Sequence, residues 1–196
     1  VRRELGIPEQ APLVGMTAVL RKDKGPDIFL QACNELLGQR EDAWCILAGD
    51  GWMREELAHM HASLPQRDRI VLAGFRRDIP QLLAELDIAV LAARIPEGVP
   101  QAILQAHAAR VPVVATAVGG IAEVAQSGVT AFTVPPNDPH ALAQALQRAL
   151  EDRSQAMAQA ERGHAMVRES YSVDAMLNRM ASLYRRLATK QPVEKL

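Results

Sequence analysis

DIAVLAARIPEGVPQAILQAHAARVPVVATAVGG, residues 87–120, sets one amphipathic segment between two apolar runs. DIAVLAA (87–93) and PVVATA (112–117) are apolar at nearly every position, as in parallel strands buried on both faces; a strand with one wet face would alternate. Parallel neighbours need a crossover, and PQAILQAHAAR has the helical period to provide it. The unit reads strand, loop, helix, strand.

Outward from it the alternation continues in both directions. LVGMTAVL (13–20), WCILAG (44–49), RIVLAG (69–74) and AFTV (131–134) read as four more strands, with PDIFLQACNELLGQ, MREELAHMHASL, DIPQLLAEL and IAEVAQSG as helices between strands. Six strands interleaved with helices predict an α/β fold on a doubly wound, parallel, six-stranded sheet. Beyond Val134 the strands stop, and DPHALAQALQRALED, SQAMAQAERGHAMVRES and SVDAMLNRMASLYRRLATK continue as helices, with Asp138 and Ser172 as candidate N-caps. The last helix spaces Met176, Met180, Leu183, Tyr184 and Leu187 by three and four residues, an apolar stripe that needs a surface to cover. The expected division is a connector at 1–12, a ligand-binding domain at 13–170 and a C-terminal helix at 171–196 whose QPVEKL tail frays. Val1 is not an initiator, so the chain reads as a piece of a longer one.

With 48% apolar and 23% charged residues in 196, the chain can build one good core. Twenty-two Lys and Arg against 23 Asp and Glu leave a formal charge of −1, so no global positive field recruits nucleic acid or an anionic membrane. Cys33 and Cys45, with no signal-peptide pattern and no apolar run of about 18 residues, predict reduced, buried thiols in a cytoplasmic protein. His59, His61, His107, His140 and His164 are scattered over helical segments, and no metal site is expected. Neither a Walker loop nor a G-x-S-x-G elbow is present.

Ligands of open parallel sheets bind at the carboxyl ends of the strands, where loops lead into helix N-termini. LRKDKGPD puts Arg21, Lys22 and Lys24 beyond the first strand, cations that suit a phosphate, although the same residues also read as a solvated polar loop. AGDGWMREE carries Gly49 and Gly51 but lacks the third glycine of a dinucleotide fingerprint. AGFRRD offers Gly74 for close backbone approach, with Asp78 as a candidate helix cap. RIPEGVP ends in Pro100 at a first helical turn, where the missing N–H costs nothing, and the amides of Gly98 and Val99 would face an anion favoured by the helix dipole. Glu97 repels such an anion. Its task is then to accept hydrogen bonds from hydroxyls beside the phosphate, the pattern of a sugar. Eight residues on, Gln105 can grip vicinal hydroxyls through its oxygen and nitrogen, without charge assistance. AVGGIAE (117–123) adds a fifth loop on the same edge.

LVGMTAVLRKDKGPDIFLQA, LAGDG, VLAGFRRDIPQLLAELDIAVLAA, EGVPQAILQAHAARVPVVATAVGGIAEV, SGVTAFTVPPNDPHALAQAL and LYRRL, in this order and spacing, resemble the C-terminal half of glycosyltransferase family 4. Members of that family are retaining enzymes of the GT-B plan, and the resemblance runs over residues 5–187. It implies one of two Rossmann-like domains facing a cleft, one half of a GT-B enzyme, holding a nucleoside-diphosphate sugar as donor with no metal. By position, Lys24 is implied at the diphosphate and Glu97 at the donor sugar, as the catalytic pair. Arg21 is expected to assist Lys24; Gly98, Val99, Pro100, Ile103 and Leu104 to surround sugar and phosphate; Gln105 to hold the ribose; and Gly49, Gly51, Gly74, Phe75 and Arg76 to line the nucleoside.

The implied activity is transfer of a hexose or related sugar to a glycan or lipid-linked acceptor, in glycan or cell-envelope polysaccharide biosynthesis. The acceptor would enter through an N-terminal domain absent from this chain, and the last helix would cross back onto that domain. Peripheral association of the full-length enzyme with the inner face of the membrane fits this class; nucleic acid is not an expected partner. Alone, the chain is expected to bind nucleotide and not to transfer sugar. A nucleotide-sugar epimerase of the same plan and a non-catalytic nucleotide-binding or interaction module are the alternatives. Three departures from the family pattern matter: Val19 where arginine is common, no serine near Ala93, and Gln105 in place of the second glutamate. The last would weaken the ribose grip by about 1 kcal/mol.

Overall fold

The computed structural model of the chain describes residues 1–188; the QPVEKL tail and the end of the last predicted helix lie outside them. β1 (Leu13–Thr17), β2 (Trp44–Ala48), β3 (Ile70–Gly74), β4 (Ile88–Leu91), β5 (Val113–Thr116) and β6 (Phe132–Val134) form one sheet, ordered β3-β2-β1-β4-β5-β6. Every pairing is parallel. The crossovers are α1 (Pro26–Gln39), α2 (Arg54–Ser63), α3 (Ile79–Ala84), α4 (Gln101–Ala108) and α5 (Ile121–Val124), followed by α6 (Pro139–Glu151), α7 (Arg153–Ser170) and α8 (Val173–Ala188).

The continuous apolar runs exist because the sheet has two dry faces. Val14, Met16, Cys45, Leu47, Ile88 and Val90 point to one side, where α1, α2 and α6 cover them. Leu13, Ile46, Ala48, Ala89, Leu91 and Val113 point to the other, under α3, α4 and α5. The period of two thus sends alternate residues into two different cores. Cys33 and Cys45 are free, fully buried and adjacent, and burial pushes the Cys33 thiol well up.

Strand β1 stops at Thr17, short of the predicted Leu20, for a reason that lies in a neighbouring loop. Ala18 N still bonds Ala48 O at 3.0 Å, but Arg21 N then turns back to Val19 O at 2.8 Å. Gly49 passes directly beneath at φ 150°, and a Cβ there would stand 1.8 Å from Ala18 O. Pro100 is the residue before α4, at φ −79° and ψ 127°, one place earlier than the first helical turn predicted for it. The expected caps are present at α6, where Asp138 accepts from Ala141 N at 2.8 Å, and at α8, where Ser172 accepts from Ala175 N at 3.1 Å. Asp78 does not cap α3; its carboxylate is held by Arg76.

Residues 1–12 contain neither helix nor strand and are fastened to the domain by Arg2. Its guanidinium reaches the Glu85 side chain at 2.9 Å, Glu85 O at 2.8 Å and Ala11 O at 2.8 Å. On α7, Gly163 meets the ring of the fully buried His107, where a Cβ would lie only 2.3 Å away, so α7 packs tightly on α4. The stripe on α8 has no such partner among the described residues. Val173, Met176, Leu177, Met180, Tyr184 and Leu187 are all exposed.

Candidate functional site

Strand order reverses between β1 and β4, the place where doubly wound sheets open a crevice at their carboxyl edge. A cleft of about 530 Å³ lies there, walled by the loops that follow β1, β2, β3 and β4. That volume suits a small-molecule ligand.

The chain brings Glu97 into this cleft by a close backbone crossing. Gly120 N donates to Glu97 O at 2.8 Å, and the two glycines of AVGG lie flat against the 96–98 segment. Side chains cannot be accommodated there: a Cβ on Gly119, already at φ 54°, would sit 2.8 Å from Pro96, and one on Gly120 would sit 3.0 Å from Glu97 O. Lys24 arrives from the β1 side, in the turn that Gly25 closes at φ 66° before α1 starts. Arg94 ties the two loops together, its amide donating to Asp23 O at 2.8 Å and its guanidinium pairing with Asp27.

Lys24 Nζ and a Glu97 carboxylate oxygen are hydrogen-bonded to each other, with side chains only 22% and 19% exposed. The two residues assigned to opposite tasks, one for phosphate and one for hydroxyls, are thus direct partners. Beside them α4 begins. Its first amides, those of Gln101, Ala102 and Ile103, have no intrahelical acceptor, and the amide of Leu104 already bonds Pro100 O at 3.3 Å. Gln101 and Gln105 both line the cleft, four residues apart on one face of α4.

Of the residues named from the sequence, Lys24, Glu97, Val99, Pro100 and Gln105 line the cleft, as do Gly49, Phe75 and Arg76. Phe75 is 69% exposed at its rim. Arg76 enters already occupied, bonded to Asp78 at 2.9 and 2.6 Å and to Glu4 at 3.0 and 3.1 Å, and it holds both carboxyls below their ordinary range. Other named residues fall outside. Ile103 is buried in the core beneath α4, and Leu104 packs against that core. Arg21 turns to Asp23, at 3.0 and 2.5 Å, leaving Val19 as the cleft residue of that segment. Gly51 lies against the backbone of Leu20, Gly74 accepts from Gly49 N at 2.8 Å, and Gly98 stands open beside Gly120.

The cleft also contains Asp50, Ile79 and Gln101, which sequence reasoning did not single out. Asp50 lies between two named glycines, and the four-residue step from Gln101 to Gln105 was a usable signal. Among the described residues no three His, Cys, Asp or Glu side chains gather as a metal-ligand set, and no helix is long and apolar enough to cross a membrane.

A parallel, doubly wound sheet with a cleft at its switch point, lined by a cation, a carboxylate and free helix amides, defines a Rossmann-like domain. The profile of the family described as Glycosyl transferases group 1 matches residues 1–166, and the chain belongs to that family. It is 28% identical over 190 residues to the alpha-D-kanosaminyltransferase of Streptomyces kanamyceticus, covering 95% of this chain and 48% of that protein. With the lipopolysaccharide core biosynthesis mannosyltransferase LpsB of Rhizobium meliloti it shares 29% identity over 193 residues, 95% of this chain and 55% of that one. Its fold matches Anabaena Alr3699/HepE, solved in complexes with UDP and with UDP-glucose, at TM-score 0.86 and 27% identity, over 94% of this chain and 51% of that one. The chain spans about half the length of the curated relatives it matches.

Proposed function

We propose that this chain is the nucleotide-sugar-binding domain of a retaining, family 4 glycosyltransferase that moves a hexose or related sugar from a nucleoside diphosphate to a glycan or lipid-linked acceptor. The observation that carries this reading is the meeting of Lys24, Glu97, Gln105 and the free amides of α4 in one switch-point cleft. The complexes of HepE with UDP and UDP-glucose are consistent with a ligand of that kind. In the reaction the bond between the anomeric carbon and the diphosphate oxygen breaks, its electron pair leaving with the diphosphate, while the acceptor hydroxyl oxygen bonds that carbon and its proton passes to the departing diphosphate. In this reading Lys24 and the α4 amides receive that developing charge without a metal, since fixed donors aimed at developing charge are usually the largest catalytic contribution. Glu97 accepts from the sugar hydroxyls, and Gln105 from the ribose.

Acceptor contacts belong to the other half of the enzyme, so the chain alone binds nucleotide without transferring sugar. The bare stripe of α8 suits a helix that lies across that other half, and such an enzyme would work in the cytoplasm, at or near the inner face of the membrane. Lys24→Ala in the full-length enzyme is expected to lower turnover about 100-fold and to raise donor KM by less, about tenfold. Steady-state kinetics with product analysis tests this. Unchanged turnover removes Lys24 from the role, and conversion of the nucleotide sugar without an acceptor would point to an epimerase.

A further inference from the structure

We propose that Glu97 makes the cleft prefer an intact nucleotide sugar over the nucleoside diphosphate left after transfer, by competing for Lys24. This rests on the donor-site reading above and concerns how that site is regulated.

Three arginines near the cleft are already committed. Arg21 is engaged by Asp23, Arg94 by Asp27, and Arg76 by Glu4 and Asp78 together, with only 9% of the Arg76 side chain exposed. Lys24 lines the cleft and is committed too, but to Glu97, a residue of the cleft itself. A diphosphate that recruits Lys24 must therefore take it from Glu97.

The consequence differs between the two ligands. Once Lys24 has gone to phosphate, the Glu97 carboxylate, on a side chain 19% exposed in the ion pair, has lost its cation and stands beside a like charge. An unpaired carboxylate in that position is unfavourable. A nucleotide sugar offsets this, because its sugar hydroxyls donate to the carboxylate that Lys24 has left. A bare nucleoside diphosphate has no hydroxyl to place there, and it binds weaker by what the broken pair was worth. The same device favours release of the spent nucleotide.

The test is calorimetric titration of the 196-residue chain and of its Glu97→Gln variant with UDP, GDP and inorganic pyrophosphate, and with UDP-glucose and GDP-mannose. Glutamine keeps the shape and loses the ion pair. The variant is expected to bind the matching nucleoside diphosphate and pyrophosphate about fivefold tighter and the matching nucleotide sugar no tighter, so that the preference collapses. In a Lys24→Met background the Glu97→Gln change is expected to bring a clearly smaller gain, that of relieving repulsion alone. An equal gain there would mean simple repulsion between Glu97 and phosphate, and would overturn the competition. Unchanged or weaker diphosphate binding in Glu97→Gln, with nucleotide binding by the parent chain intact, would overturn this proposal alone. A parent chain that takes up neither nucleotide would overturn the donor-site reading with it.

Discussion

Gln105 lines the cleft one turn after Gln101 and, on the proposed reading, stands where the family pattern has a glutamate for two ribose hydroxyls. Restoring the acid is expected to recover the difference between a neutral and a charged hydrogen bond, about 1 kcal/mol, so Gln105→Glu should tighten nucleoside diphosphate binding about fivefold by calorimetry. Entry into the cleft was legible for Lys24 and Glu97, each in a loop at the carboxyl edge of a strand. The partners of Arg21 and Arg76 were not legible, because a guanidinium goes to the nearest carboxylates, and one partner of Arg76, Glu4, is 72 positions away in sequence. His107 was also opaque, read as one of several scattered histidines. It is fully buried, its Nε2 lies 2.9 Å from Val124 O, and burial pushes its pKa below the ordinary value. The unfolded chain therefore binds a proton that the folded chain resists, so stability is whole above about pH 6.5 and falls as the pH drops toward the lower folded-state pKa. Urea melts between pH 7.5 and 5 should show this loss, and His107→Gln, which can still donate to Val124 O, should reduce it.

At the scale of elements, the sheet was readable because the central strands β1, β2, β4 and β5 are dry on both faces and so are apolar runs with little polar alternation to confuse them. Strand ends were less readable. Thr17 ends β1 because Gly49 crosses beneath Ala18, and nothing within residues 13–20 records that crossing. The helix expected over IAEVAQSG likewise ends at Val124, since Gln126 N is taken by Thr130 Oγ1 at 2.9 Å and the chain turns toward β6 at Gly128, φ 71°. Crossing glycines make a sharp prediction. Gly49→Ala drives a methyl into the Ala18 carbonyl at a φ of 150° and should cost at least about 2 kcal/mol in a denaturant melt. Gly38→Ala, in α1, meets nothing within 4 Å and should leave the melt unchanged or raise its midpoint.

For the molecule as a whole, the strand order β3-β2-β1-β4-β5-β6 decides where a ligand cleft can sit, since it places the reversal between the Lys24 loop and the Glu97 loop. Sequence pattern supplied the strands and the family resemblance supplied the residues; the pairing of Lys24 with Glu97 came from neither, because it depends on how closely two loops approach across that reversal. What stays unpartnered is also informative at this scale. The chain covers about half of its relatives, and α8 presents six large apolar side chains to solvent. The most direct measurement is calorimetric titration of the chain with UDP and GDP, alongside Lys24→Ala. One saturable site for at least one of the two nucleotides, weakened at least tenfold by the substitution, is the expected result. No heat of binding from either nucleotide at millimolar concentration, or binding that Lys24→Ala leaves untouched, would contradict a diphosphate site in this cleft.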